Sequence, residues 1–429
     1  MDGENKRVIK NAAWMTVFQA ANYIIPILLI PYVSRILGVD SFGKVTYMQT
    51  IAQYATIFIN FGFEYTSTRA IAVNRDNPKK LRSIFWGTIY AKLLLTVVSL
   101  LVFLPYSFTH SQSTEELVMY AAAWMINIGW WLYPSWYFQG MEKLSIMSVA
   151  NFLIKAAGAI LVVVCVREAS DSVGYLASFS FSYIAGGLIT VAYCVKEEGM
   201  RRIKVTGETV KTLLGDSLPV FLASVCSSIT QAFAVTYLGA GNATEHDLGI
   251  YSGAFKLVFA AVAMCNLPIS MAIFPKVSRE YEKDREGGIR YFYKTLKIVV
   301  LISACFSIGM YIFSPLAVSL LLGDKFAEST ELLRYYSICP LFCTTSLYLT
   351  VQGLYAIQRQ KYATIVEAVA LAVCIVSTII FNDYFGVKGA VWAFDLTVLT
   401  EIILSFSVIT VMNRNNRFTN RKNRRDATM

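Results

Sequence analysis

The chain has 429 residues, of which 56% are hydrophobic and 15% charged, with a formal net charge of +10 and a mean hydropathy of +0.52. A soluble protein usually carries about 25% charged residues, so the composition excludes a soluble globular enzyme and indicates a membrane-embedded chain. No loop between the apolar stretches reaches about 50 residues, which leaves no room for a soluble catalytic domain.

A spanning helix needs roughly 20 apolar residues, and about twelve such stretches can be drawn. The first, 12–35, follows Lys6, Arg7 and Lys10 and holds Pro26 and Pro31. It is longer than the roughly 7–15 apolar residues of a signal peptide and lacks a small-x-small cleavage site, so it is expected to be retained. The second, 45–68, places Gln49, Gln53, Thr56, Asn60, Glu64 and Ser67 on one helical face. Lipid cannot satisfy these amides, so the stripe should face protein or a water-filled cavity. The third, 83–105, contains Lys92, and the fourth, 116–138, contains the aromatic run from Trp130 to Tyr137 around Pro134. That run reads either as an interfacial aromatic belt or as a stacking wall for a sugar or isoprenoid.

The fifth stretch, 146–166, holds Lys155, and the sixth is 174–195. The seventh, 212–238, has a smaller polar face of Ser217, Ser224, Ser228 and Gln231 and carries Pro219. The eighth, 248–274, holds Lys256 and Pro268; the ninth is 291–314, and the tenth, 331–355, holds Pro340. The eleventh, 361–382, contains Glu367, and the twelfth, 388–412, contains Asp395 and Glu401, before a basic tail. A charge at a helix centre costs roughly 2.5–3.5 kcal/mol on insertion scales, so these residues should face a partner, a cavity or the headgroup zone. Lys155 and Lys256 lie roughly 12–15 Å inside their spans at 1.5 Å per residue, too deep to snorkel easily.

The chain has 38 Lys plus Arg. About 27 fall in the termini and the even-numbered loops and about 6 in the odd-numbered loops, which by the positive-inside rule puts both termini in the cytoplasm. The positive charge therefore marks topology and does not point to nucleic acid.

The chain also repeats. Gln139-Gly140 ends the fourth stretch and Gln352-Gly353 the tenth, and Phe42-Gly43 opens the second as Leu248-Gly249 opens the eighth. Such matches near half the chain length indicate two six-helix lobes, 1–211 and 212–412, with a cytoplasmic tail over 413–429. Six is even, so the repeat is parallel and a transport path would run between the lobes. Lys155 and Glu367 hold nearly corresponding places in the two lobes.

Catalytic constellations are absent. There is no Gly-x-x-x-x-Gly-Lys-Ser/Thr phosphate loop, no His-Glu-x-x-His, and the two histidines, His110 and His246, fall in outer loops. The eight cysteines lie in or beside apolar stretches without a Cys-x-x-Cys, so neither a metal nor a cofactor is expected.

Lys10-Asn11-Ala-Ala-Trp14, Pro31-Tyr-Val-Ser-Arg35-Ile-Leu-Gly38-Val-Asp-Ser-Phe42-Gly43, Phe61-Gly62-Phe63 and Thr68-Arg69 resemble the polysaccharide-unit flippases. These transporters of O-antigen and capsule repeat units share a superfamily with the drug/sodium antiporters and the peptidoglycan-precursor flippases. The likeness runs through the whole chain and is best in its first 90 residues. It implies an all-α polytopic membrane protein of two six-helix lobes, V-shaped and working by alternating access, with no enzymatic activity. It further implies a bacterial inner-membrane location, an undecaprenyl-diphosphate-linked oligosaccharide as substrate, and a polysaccharide polymerase and chain-length regulator as partners besides the bilayer.

Relatives line the cavity with cations. Carried onto this chain, Lys256 and Arg35 match best, Arg69 and Arg279 close the second and eighth helices, and Lys92 and Lys155 are further candidates. A diphosphate attracts Lys and Arg strongly in a low-dielectric cavity, while Gln49, Gln53, Asn60, Glu64 and Gln231 could meet sugar hydroxyls. Glu367, Asp395 and Glu401 could couple transport to an ion. A drug/cation antiporter on the same fold is the alternative, but it favours acidic cavity residues, whereas several of the deep charges here are lysines.

The topology is checked by labelling with an impermeant maleimide. A cysteine at 110 should react from outside and one at 285 only after permeabilisation; the reverse pattern would overturn the assignment.

Overall fold

The computed structural model describes residues 3–283, 285–355 and 360–426, and the described residues form helices and short connections without a strand. The first element, α1 (Gly3–Asn60), is two helices joined at Gly38 (φ 74°, ψ −179°). Only glycine adopts that backbone without strain, so the first two predicted spans meet there. A second break follows at Phe61 and Gly62, with φ of 44° and 79°. The chain resumes as α2 (Phe63–Val73), so the predicted second span is two helices.

In α3 (Pro78–His110), Asn77 caps the start by accepting the Lys80 amide at 3.1 Å. Proline fits the first helical position, where its missing amide is no loss. The predicted fourth span is three pieces, α4 (Thr114–Trp124), α5 (Ile126–Leu132) and α6 (Ser135–Gly140). The last break is at Pro134, which cannot continue a helix. Then come α7 (Leu144–Cys165) and α8 (Ser172–Lys196). Between them the half-buried Asp171 carboxylate accepts the Arg167 and Glu168 amides at 2.8 and 2.9 Å, which hold its pKa below the usual carboxylate value.

Next are α9 (Gly207–Tyr237), α10 (Glu245–Lys283) and α11 (Arg285–Leu321). The predicted tenth span is again broken. It comprises α12 (Ser329–Tyr335), a tight turn at Tyr336–Ile338, α13 (Cys339–Tyr348) and a wide turn over Leu349–Tyr355. The chain closes with α14 (Gln360–Phe385) and α15 (Val387–Asp426). Among the described residues nine segments are long and apolar enough to cross a membrane. The first, Ile24–Val73, contains the join at Gly38 and so holds two predicted spans. The broken fourth and tenth stretches are not among the nine, so the arrangement is compatible with about twelve spans.

The helices form two compact units, Met1–Ser228 and Ile229–Met429. The divide falls inside α9 because its first half packs on the first unit. Leu213 joins Ile59, Phe63, Ala91 and Leu95 in one core cluster, and the Ser217 and Thr66 hydroxyls meet at 2.6 Å.

In the first unit Trp136, Tyr137 and Phe138 are fully buried with Phe85, Ile71 and Met147, and Trp130 stacks on Tyr183 at 5.4 Å. Tyr133, Trp136 and Tyr137 of the aromatic run are thus core, while Trp130 and Trp131 stay half-buried. A sequence shows that rings cluster but not which neighbour covers them. Small residues let the helices approach closely: a Cβ on Gly129 of α5 would stand 2.5 Å from the Tyr183 carbonyl carbon of α8. The second unit centres on Phe292 and Tyr348, stacked at 5.2 Å. Gly140 and Gly353, the repeated glycines, both sit in tight packing, with added Cβ atoms 2.6 Å from Ile71 and 2.4 Å from Ile409.

Gly129→Val should therefore destabilise the first unit by about 1–3 kcal/mol or more, whereas Gly309, with open space around its Cα, should accept valine within about 0.5 kcal/mol. Melting in detergent compares the two, and equal loss at both would contradict the packing described.

Candidate functional site

The polar stripe of the second predicted span divides into a buried part and an open part. Towards the Gly38 end, Gln49 is half-buried and hydrogen-bonded to Tyr175. Thr56 donates to Asn127 Oδ1 at 2.7 Å, and Asn127 is itself buried and donates to the Ala52 and Trp124 carbonyls. Gln53 is exposed and Asn60 half-buried. Part of the stripe therefore glues the second span to the fourth, as hydrogen bonds between membrane helices do.

The open part lies where α2 meets α6. Glu64, Tyr65, Thr68, Arg69 and Gln139 line a pocket of about 570 Å³. Arg69 is exposed there, and Glu64 and Gln139 are half-buried. The Glu64 carboxylate accepts the Ser135 hydroxyl at 2.5 Å, and Thr68 donates to the Trp136 carbonyl at 3.2 Å. On the far side of α6, Arg75 holds the Gly140 carbonyl at 2.7 Å and pairs with Glu142 at 2.8 Å. The pocket offers a guanidinium, a carboxylate, an amide and hydroxyls on α2 and α6. Gln139 and Tyr65 are members that sequence reasoning missed, although the Gln-Gly repeat marked the end of α6.

The other lysines lie apart from the pocket. Lys92 is 0% exposed and donates to the Trp130 carbonyl at 2.6 Å, with Glu64 within electrostatic reach. It belongs to the interior of the first unit and not to an open cavity. Lys155, half-buried in α7, reaches the Asn22 carbonyl of α1 at 3.4 Å. Arg35 is exposed at the end of the first predicted span.

In the second unit Lys256 is half-buried in α10 beside Phe255, whose ring packs on Phe394 at 6.2 Å. Gln231 is exposed on α9. The Arg279 side chain lies outside the described residues. Glu401 accepts the Ser346 hydroxyl at 2.7 Å and lies within electrostatic reach of Glu367. Asp395 neighbours the Tyr336–Tyr251 hydroxyl pair, whose oxygens are 2.6 Å apart. The three carboxylates thus sit on α14 and α15 at two separate places. Lys155 and Glu367, expected to hold nearly corresponding places in the repeat, each have a neighbour within their own unit. No disulfide joins the eight cysteines, and no group of three metal-ligating side chains occurs among the described residues.

Residues 8–280 match the family described as "Polysaccharide biosynthesis protein". The chain belongs to this family. Over 410 residues it is 25% identical to a protein of Escherichia coli (strain K12) named "Putative O-antigen transporter", covering 95% of this chain and 97% of that one. A Shigella dysenteriae protein of the same name is 25% identical over 408 residues, covering 92% and 97%. Among solved structures, an inward-facing multidrug resistance MATE family transporter of the MOP superfamily aligns with a TM-score of 0.70 at 15% identity, covering 92% of this chain and 96% of that one. The lipid II flippase MurJ, inward closed, aligns with a TM-score of 0.71 at 12% identity, covering 93% and 87%. At these identities the structural likeness establishes the fold, and that fold is the one expected: an all-helical, multi-pass transporter architecture. The polysaccharide biosynthesis family member described here is therefore a membrane protein built like MATE transporters and MurJ.

Proposed function

We propose that this chain flips an oligosaccharide linked to undecaprenyl diphosphate from the inner to the outer leaflet of the bacterial cytoplasmic membrane, by alternating access of two lobes, 1–211 and 212–412. The flipped units would feed O-antigen, capsule or exopolysaccharide assembly, with a polymerase and chain-length regulator acting on them afterwards. The observation that carries this reading is the α2–α6 pocket, which sets the exposed Arg69 guanidinium beside Gln139, Thr68 and Tyr65. A diphosphate needs a fixed cation with several donors, and a sugar needs amides and hydroxyls; this pocket supplies both.

Full-length similarity to proteins named as O-antigen transporters supports the same substrate class. Positive charge on the loop joining α2 to α3 supports a cytoplasmic position for the pocket, on the side where a lipid-linked unit is made. Lys256, Lys155, Arg35 and Arg279 are assigned to the anion path beyond the pocket, and Gln49, Gln53, Asn60 and Gln231 to its polar lining. Glu367 and Glu401, with Asp395, are assigned to ion coupling. A drug/cation antiporter is the weaker reading, because the pocket carboxylate, Glu64, already accepts Ser135 and lies near Lys92.

Each charged hydrogen bond to the diphosphate should contribute about 1.5–3 kcal/mol. Arg69→Ala and Lys256→Ala are therefore expected to cut surface polysaccharide roughly tenfold or more, while membrane insertion stays normal. Polysaccharide gels and membrane immunoblots of a complemented deletion strain give both readouts. Normal polymer in both variants would overturn the cationic path.

A further inference from the structure

Lys92 has a partner whose origin lies in the break of the fourth predicted span. Pro134 has no amide proton, so the Trp130 carbonyl four residues earlier has no helical donor. An unmet carbonyl within the hydrocarbon is costly, and broken membrane helices persist only where neighbours satisfy the freed groups. The turn before the break still closes, with the Tyr133 amide on the Gly129 carbonyl at 2.9 Å. The turn after it restarts with the Tyr137 amide on the Pro134 carbonyl at 3.0 Å. The Trp130 carbonyl between them receives Lys92 Nζ at 2.6 Å.

Two further contacts brace the break from α3 and α2. Trp131 Nε1 donates to the Ile89 carbonyl at 3.0 Å, and the Ser135 hydroxyl donates to Glu64 at 2.5 Å. Glu64 in turn lies within electrostatic reach of Lys92, so the carboxylate that accepts Ser135 also acts on the lysine that holds the Trp130 carbonyl. The clamp sets where α6 starts, and α6 carries Gln139 into the pocket wall.

We propose that Lys92 is a positioning residue: it supplies the hydrogen bond that Pro134 cannot, and with Glu64 it fixes α6 so that Gln139 lines the pocket. It is not a substrate-binding cation. This role concerns the shape of the fourth span and holds whatever substrate crosses.

The test separates donor from charge without relying on transport. Lys92→Met is one heavy atom shorter and loses the donor; Lys92→Gln is equally short, keeps a donor and loses the charge; Pro134→Ala restores an amide. Each is purified in detergent for melting, and each is combined with Gln139→Cys in a cysteine-substituted background for maleimide labelling in membranes. Lys92→Met should lower the melting temperature by about 2–5 °C and change the labelling rate at 139 several-fold. Lys92→Gln should stay near the parent on both, and Pro134→Ala should return the melting temperature of Lys92→Met towards the parent. Equal losses for Lys92→Met and Lys92→Gln, or no rescue by Pro134→Ala, would overturn the proposal. If Lys92→Met fails to fold, Lys92→Gln still decides: folding near the parent supports the clamp, and failure contradicts it.

Discussion

Every backbone amide and carbonyl inside a bilayer must find its partner within the protein. That requirement explains why the chain is helical, and it is most demanding where a helix stops. The polar side chains of the first unit gather at such places. Asn127 holds the Ala52 and Trp124 carbonyls at the join of α4 and α5, Lys92 holds the Trp130 carbonyl, and Arg75 holds the Gly140 carbonyl at the end of α6. At the Pro134 break that partner is a side chain from a neighbouring helix, Lys92 of α3; at the other two places it comes from α5 itself and from the segment after α2.

Function grows from the same constraint. Breaking the fourth span at Pro134 turns its last segment into a separate short helix, α6, which can present Gln139 beside Arg69 on α2. A continuous helix through this region would carry its side chains at another angle. The α2 segment is also detached, by the left-handed Phe61 and Gly62, and Gly62 lets Val220 of α9 approach, since an added Cβ would lie 2.9 Å away. Two short helices set off by breaks thus build the pocket proposed to receive the diphosphate and its sugars, while the long helices around them supply rigidity.

Much of this was legible in the sequence. Apolar length gave most of the spans, and the Gln-Gly motif marked the end of the fourth. The stripe containing Glu64 was visible from its spacing. What the sequence could not show was how each intramembrane charge is satisfied. Lys92 looked like Lys155 and Lys256, a cation at depth, because its partner is a carbonyl 38 residues away, freed by a proline in another span. The Trp130–Tyr137 run looked amphipathic enough for an interface or a ligand wall, yet Phe85, Ile71 and Met147 from other spans bury its Trp136 and Tyr137. The helix breaks were equally hidden: hydropathy averages over a window, and a single left-handed glycine does not alter it.

In the function proposed above, the chain moves a diphosphate-linked oligosaccharide across a bilayer through a path that begins at Arg69. The most direct measurement uses purified protein in liposomes loaded on one face with a polyprenyl-diphosphate oligosaccharide, scored by an impermeant glycosidase on the other face. Sugar should become cleavable in a protein-dependent manner, and Arg69→Ala vesicles should lag far behind. Cleavage no faster than in protein-free liposomes, with the protein folded and inserted, would contradict the account.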